Sequence, residues 1–460
     1  MTDREICGIF TDAADFEKRS LRVGDLQLYG YFIDGLVSGS FVSEYIYRPI
    51  SRNLKGNMEE LYNSALQGAV YNAVARPCED LADVASKLVN GFCVILFPDV
   101  GAIAFEARTG VSRGPQSPDV ENTVKGPKDA FVETLRINTS LIRRHLRTPD
   151  LRLSAAVVGR RSLTNVSVVW VEGITDPCLV QRMRKRLDSI DTESFLSPAA
   201  VEEYVTGSRA TAFPLLQYTE RPDRFAQGLL DGRVGLLVDG LPLAYLVPVD
   251  LGYLLESPED RSRDYISASC IKVLRYGALL ISLLLPGIYI AMTMFHGEWV
   301  PPKLLETMLR SDQMRPFTTS WEVLGLLIAY ELIQEAGIHL PQAIGQSVSM
   351  IGGIVVGTAA VEAGLIAPMV LIVVSITGVC GFVLPNRDLA QAVRVWRFLI
   401  GVLGMLLGMP GVFLGVCILI THLGRIRSLG VSYLIPHPAG RGILRKRLIK
   451  EEKGTGEGNS

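Results

Sequence analysis

Two carboxylates four residues apart, Glu331 and Glu335, lie in the stretch Trp321–Gly337, on an otherwise apolar stripe that Leu324, Leu327 and Ile328 continue backwards. Residues at i and i+4 share one face of a helix. Acids on such a face have two readings. They line a water-filled path and attract cations, or the helix lies at a membrane surface with its acids among headgroups. A third acid, Glu362 in Val-Glu-Ala-Gly, divides two uncharged runs. Capping the helix that follows is its first reading, a place at a pore mouth its second. Other chemistry lacks parts. Residues 1–250 contain no G-x-G-x-x-G, Walker A or G-x-S-x-G spacing, and their only histidine is His145, so neither a Ser-His-Asp set nor a histidine-metal site can be assembled there. The seven cysteines (Cys7, Cys78, Cys93, Cys178, Cys270, Cys380 and Cys417) form no CxxC pair, which fits a reducing compartment and no metal cage. Neither enzyme chemistry nor a cofactor is expected.

The elements that hold these acids follow from charge taken by position. Over 460 residues, 46 Lys plus Arg balance 47 Asp plus Glu, and mean hydropathy is +0.28. That composition excludes a disordered chain, a coiled coil and a disulfide-stapled mini-protein, and its neutrality gives no argument for nucleic-acid binding. Runs free of charged residues cover 276–295, 343–361, 363–385 and 398–424. A helix needs ~20 apolar residues to cross the ~30 Å hydrocarbon core, so all four qualify. Residues before 265 contain no such run. The fold expected is a soluble α/β N-terminal region followed by an α-helical polytopic transmembrane domain with spans near 271–295, 343–361, 363–385 and 398–424. The helix 321–337 is read as amphipathic or re-entrant.

Arg261, Arg263, Lys272 and Arg275 precede the first span, and the tail from Arg425 carries eight basic against three acidic residues. Basic flanks place both chain ends on the cytoplasmic side, which requires an even number of crossings. Arg387, Arg394 and Arg397 then fall in an external loop, against the same rule. Asp3, Arg4 and Glu5 follow Met1 with no apolar h-region, so no signal peptide is expected. Gly345, Ser349, Gly353 and Gly357 recur every fourth residue, and Gly404, Gly408, Gly411 and Gly415 form a second ladder around Pro410. Small residues let helix backbones approach closely in lipid. His296, His339 and His422 fall near span ends. Beyond a Gly430–Gly440 loop, Ile443–Ile449 is a short basic stretch that either binds anionic headgroups, at ~1 kcal/mol per basic residue, or stays solvated.

The soluble part contains an internal duplication. Tyr31–Val42 aligns with Val169–Val180, each an apolar strand, an acid-Gly turn and a helix start. Leu88–Phe97 aligns with Leu229–Val238, each a strand entered through an Asn/Asp-Gly turn. The offsets are 138 residues (Gly35 to Gly173) and 141 (Gly91 to Gly232). Two related α/β subdomains are expected, 21–148 and 149–262, after a flexible N-terminus (1–20) and before a helical domain (263–424) and a basic tail (425–460). The turn glycines are read mainly as tight turns needing positive φ. Asn138, Arg143 and Arg144 fall on a helix after Gly126-Pro127. Arg221, Pro222 and Asp223 form a turn before the Phe225–Leu230 helix, and Asp239-Gly240 ends a strand. These are read as a salt-bridge and capping set.

The stretch Lys125–Arg144, with Gly126-Pro127, Phe131, Glu133, Asn138 and Leu141-Ile142-Arg143-Arg144, resembles a conserved segment of the A subunits of spore germinant receptors, the GerA family. Thr219–Arg224 with Leu237–Gly240, Glu331–Gly337 with Pro341, Gly345-Gln346 and Ala360–Gly364, and Ser428–Pro436 are similar in the same order. The resemblance spans residues 25–440. Thr358 departs from it, standing where the family pattern has Gln. The resemblance implies an integral protein of the inner membrane of bacterial endospores. Such a protein works with a transporter-like B subunit that binds the nutrient and a lipoprotein C subunit. It implies an oligomer, plausibly a pentamer, forming a nutrient-gated ion channel whose release of monovalent cations begins germination. A non-conducting scaffold, and a paralogous stage V sporulation AF-type branch, share these motifs. A secondary transporter fits less well, since that fold has more spans or inverted repeats.

Overall fold

The computed structural model describes residues 1–70, 74–108, 121, 126–195, 197–207, 211–261, 263–303, 306, 315–338 and 357–434. The chain divides into two compact units. One holds residues 1–209, 215–249 and 428–431, and the other holds 210–214, 250–427 and 432–460.

The first unit is two copies of one topology. The first copy orders its sheet β1-β2-β4-β5-β3, from β1 (Phe16–Val23), β2 (Leu26–Ile33), β3 (Ala75–Cys78), β4 (Phe92–Phe97) and β5 (Gly101–Glu106). The second repeats that order as β6-β7-β9-β10-β8, from β6 (Leu151–Val158), β7 (Thr164–Val171), β8 (Gln217–Thr219), β9 (Val234–Val238) and β10 (Ala244–Val247). The paired strands run antiparallel in both sheets. The aligned glycines have matching geometry: φ is +84° at Gly35 and +78° at Gly173, +80° at Gly91 and +84° at Gly232. Such values favour a residue without Cβ, so the turn chemistry repeats with the fold. β4 and β9 are buried along their whole length, which explains why they read as unbroken apolar runs instead of alternating ones. The outer strand β1 exposes Glu17, Lys18, Arg19 and Ser20, charges that blunt a sheet edge.

The N-terminus differs from expectation. Residues 1–20 form an ordered element instead of a flexible arm: helix α1 (Asp3–Ile9) is closed by a Thr2–Glu5 capping box, and Ile6 and Phe10 are buried in the first core. The apolar Ile6 and Phe10 are one helical turn apart, and that stripe docks the helix. The following residues pair with the second copy, Ala14 N–H donating to Leu153 O at 2.8 Å.

The helical unit contains α7 (Tyr265–Phe295), α8 (Thr319–Ile338), α9 (Pro368–Phe382), α10 (Arg387–Leu407) and α11 (Met409–Arg425). The labels α2 to α6 belong to the first unit: α2 (Leu81–Val89), α3 (Leu135–His145), α4 (Pro177–Asp188), α5 (Pro198–Thr206) and α6 (Pro222–Leu230). Among the described residues, two helices, α7 and α10, are long and apolar enough to cross a membrane by length and composition. With 31 residues, α7 extends ~46 Å at 1.5 Å per residue. Its first turns hold Lys272 and Arg275, which pair with Glu256 at 3.2 Å and Asp260 at 2.5 Å. The unit boundary accordingly falls after Val249 and not near 262, because Asp250–Arg261 supplies the partners of α7.

Two span expectations change. Residues 398–424 are not one helix. Gly408 takes φ +68° and ψ −146°, a conformation close to glycine-only, and separates α10 from α11 with Pro410 in the new helix's first turn. Arg387, Arg394 and Arg397 lie on α10 and not in a loop. Of the run 363–385 only Pro368–Phe382 is helical, after a break at Gly364 (φ +66°). Of 343–361, only the helical residues 357–361 are described; Gly345 and Gly353 lie outside the described residues.

The second glycine ladder marks close approach. A Cβ at Gly404 would stand 2.9 Å from Gly287 O, and one at Gly411 would stand 2.0 Å from Leu403 O. At Gly415 it would meet Ile400 Cγ1 at 3.0 Å and at Gly408 the Phe295 ring at 3.0 Å; in the first ladder, one at Gly357 would meet Leu371 Cδ1 at 2.9 Å. Outside this packed interior, Phe382, Leu406, Phe413 and Val379 are exposed by 71%, 64%, 72% and 64%. The unit is thus apolar outward.

Candidate functional site

The soluble motif residues converge on α3. Arg143 is fully buried and donates from Nε and Nη2 to both carboxylate oxygens of Asp15, each at 2.8 Å. Asn138 clamps the segment before the helix, accepting from Val132 N–H at 2.8 Å and donating to Val132 O at 2.6 Å. Asp239 accepts the Leu135 N–H at 2.9 Å and so caps α3. Gly240 N–H donates to Glu133 O at 2.7 Å. One helix is therefore tied to both copies. Arg144 points outward and is exposed. His145 pairs with Asp129 at 2.8 Å, and the hydrogen bond from His145 holds the Asp129 carboxyl below the usual carboxylate range.

Arg221 and Asp223 form a second set. Arg221 is 2% exposed and binds Asp223 in a two-point pair at 3.0 and 2.7 Å. Pro222 opens α6 at a position where a missing N–H costs nothing. Glu121, outside the motifs recognised in the sequence, pairs with Arg224 and accepts from Thr219 Oγ1. Both sets are structural ties. They tie α3 and α6 into the duplicated unit.

The helical unit holds a paired set of charges, one of them fully buried. Glu331 on α8 is bound by two guanidiniums from one face of α10: Arg397 Nη2 reaches Oε1 at 2.8 Å, and Arg394 Nη1 reaches Oε2 at 2.8 Å. Arg394 also donates to Gln334 Oε1 at 2.6 Å. Arg397 is 1% exposed. Glu331 and Arg394 are partly exposed, and an ionisable group buried in an apolar-faced helix bundle, as Arg397 is, is costly and marks function by default. Glu335 and Glu362 are exposed, so the three acids singled out in the sequence do not meet as one cluster. Nor does Glu362 cap α9. That role falls to Glu322, whose Oε2 accepts the Ala367 N–H at 2.9 Å while Arg315 binds both its oxygens at 2.7 and 2.6 Å.

Glu322, Arg394 and Arg397 were not identified as site residues in the sequence. Glu322 looks there like an ordinary first-turn acid. The arginines carry the only signal: two cations at i and i+3, opening an apolar run. His422, expected at an interface, accepts or donates with Thr211 Oγ1 at 3.0 Å and sits 5.2 Å from the Trp396 ring. Among the described residues no group of three or more His, Cys, Asp or Glu is placed to hold a metal ion.

Comparison with known proteins gives this arrangement a context. Residues 4–450 match the family described as the Bacillus/Clostridium GerA spore germination protein. The chain is similar to spore germination protein A1 of Bacillus subtilis (strain 168), 33% identical over 422 residues, which cover 91% of this chain and 86% of that protein. It is similar to spore germination protein B1 of the same organism, at 31% over 409 residues (88% and 84%). The uncharacterized membrane protein YfkQ, also from B. subtilis, is 33% identical over 405 residues (88% and 79%). Among solved structures, the N-terminal domain of the A subunit of the Bacillus megaterium spore germinant receptor GerK3 is 25% identical, with a TM-score of 0.42, covering 53% of this chain and 91% of that one. With a match from residue 4 to 450 and relatives aligned over most of their length, the protein belongs to the Bacillus/Clostridium GerA spore germination protein family.

Proposed function

We propose that the chain is the A subunit of a nutrient germinant receptor, seated in the spore inner membrane. There it oligomerises, works with a transporter-like B subunit and a lipoprotein C subunit, and forms a nutrient-gated pathway for monovalent cations. In this reading both the N-terminal unit and the tail are cytoplasmic, and the chain performs no enzymatic step.

The observation that carries the reading is the inverted polarity of the helical unit. Phe413 is 72% exposed while Arg397 is 1% exposed and paired to Glu331. Apolar side chains turned outward suit lipid, and ionisable groups turned inward suit an ion path. A second reading is a non-conducting relay, or a sporulation paralogue of the AF type, and one observation favours it: both Glu331 oxygens are already engaged by arginine. Reversing charge at Glu331 and Glu335 together (E331K/E335K) separates the two. In the reconstituted receptor, a pathway role gives altered cation-to-anion selectivity. A relay role gives lost assembly or no change.

A further inference from the structure

Glu331 stands between two claims on the same carboxylate. In a cation pathway its oxygens would meet a permeating ion; in the structure each oxygen receives a guanidinium from α10 at 2.8 Å. Arg394 and Arg397 are three residues apart on that helix, so they present as one pair. The local charge, two cations against Glu331, opposes entry of another cation.

The two arginines are held unequally. Arg394 is 28% exposed at its side chain and has Gln334 as a second acceptor. Arg397 is 1% exposed, and its buried Nε has no hydrogen-bond partner among the described residues. A buried donor left unpaired is uncommon and costly. The arrangement is therefore an incompletely satisfied network in which a shift of α10 against α8 lets Arg397 regain a partner or water. Such a network is suited to having a second state.

We infer that Arg394 and Arg397 are tethered counter-cations that occupy Glu331 in the non-conducting state, so that permeating cations and these side chains compete for one carboxylate. This rests on the ion-pathway reading above and names the residues that set its selectivity and its resting closure.

The test uses the full receptor, with the chain and its partner subunits, in liposomes loaded with rubidium, and measures efflux before and after nutrient. R394Q/R397Q is expected to leak without nutrient at tenfold or more above wild type, and E331Q/R394Q/R397Q is expected to lose most of that leak. Where removal of both arginines prevents assembly, the charge swap E331R/R397E decides: the inference requires it to assemble, stay closed at rest and open with nutrient. A wild-type receptor that opens with nutrient, combined with an assembled R394Q/R397Q receptor that stays closed at rest, overturns the inference and leaves the pathway reading standing. A swap that fails to assemble or leaks constitutively also overturns it. If the wild-type receptor passes no cation under any condition, the pathway reading falls and takes the inference with it.

Discussion

Replacing Asp15 by Ala tests how the duplicated unit is held together. Arg143 and Asp15 are 0% and 8% exposed at their side chains, and both contacts between them measure 2.8 Å. The third guanidinium nitrogen reaches only Thr148 O, at 3.4 Å. Removing the carboxylate therefore leaves a buried cation with one long hydrogen bond. Breaking a buried pair from one side costs ~3–5 kcal/mol, a large share of the ~5–15 kcal/mol that stabilises a typical domain. At ~1.4 kcal/mol per tenfold, amide hydrogens in α3 and β1 should exchange about a hundredfold to a few thousandfold faster. Mass-spectrometric hydrogen exchange on the intact protein in detergent reads this out, with α8 and α10 peptides as an internal reference. D15A/R143M removes both charges and should recover most of the loss, since an apolar pair of similar volume is tolerated where a lone charge is not. An exchange rate in D15A within about fivefold of wild type would refute the reasoning, as would a double variant no better than the single one.

Other outcomes follow from the same contacts. G411A should prevent the α10–α11 hairpin from closing, since its Cβ would stand 2.0 Å from Leu403 O; loss of folded, detergent-stable protein is the readout, and a wild-type melting temperature would contradict it. E322Q breaks the buried Arg315–Glu322 ion pair and should lower the melting temperature, with R315Q/E322Q recovering part of it. The depressed Asp129 pKa has a defined sign: its stabilisation is present above the unfolded-state value of ~3.9 and is lost as pH falls through the lower folded value. Carbon NMR of the Asp129 carboxyl should show a midpoint below that of a free aspartate, and H145A should raise it. Burial pushes the Cys93 thiol up to about 12, whereas Cys178 is exposed. Maleimide at neutral pH should label Cys178 in the native protein and Cys93 only after unfolding.

The duplication was legible because its turns repeat a backbone requirement. Gly35 and Gly173, and Gly91 and Gly232, all need positive φ, and that need survives where the surrounding residues diverge. Charge alone marked uncharged runs that α7 and α10, the two described helices long and apolar enough to cross a membrane, overlap. The break inside 398–424 was not, because an uncharged stretch offers no contrast in pattern, and only Gly408 followed by Pro410 marked it. The Glu331 pair was hidden for a different reason. Its partners lie 63 and 66 residues away, and positive charges ahead of an apolar run look like a loop flank until a helix places them opposite an acid. Likewise Glu362 sat next to the helix that needed a cap, yet Glu322, 45 residues from Ala367, supplies it through tertiary contact.

Cation efflux from liposomes holding purified oligomers of the chain with its receptor partners tests the central claim most directly. The account predicts potassium or rubidium release that begins on addition of the nutrient and changes its ion preference in E331K/E335K. Oligomers that assemble with their partners yet pass no cation under any nutrient condition would contradict it.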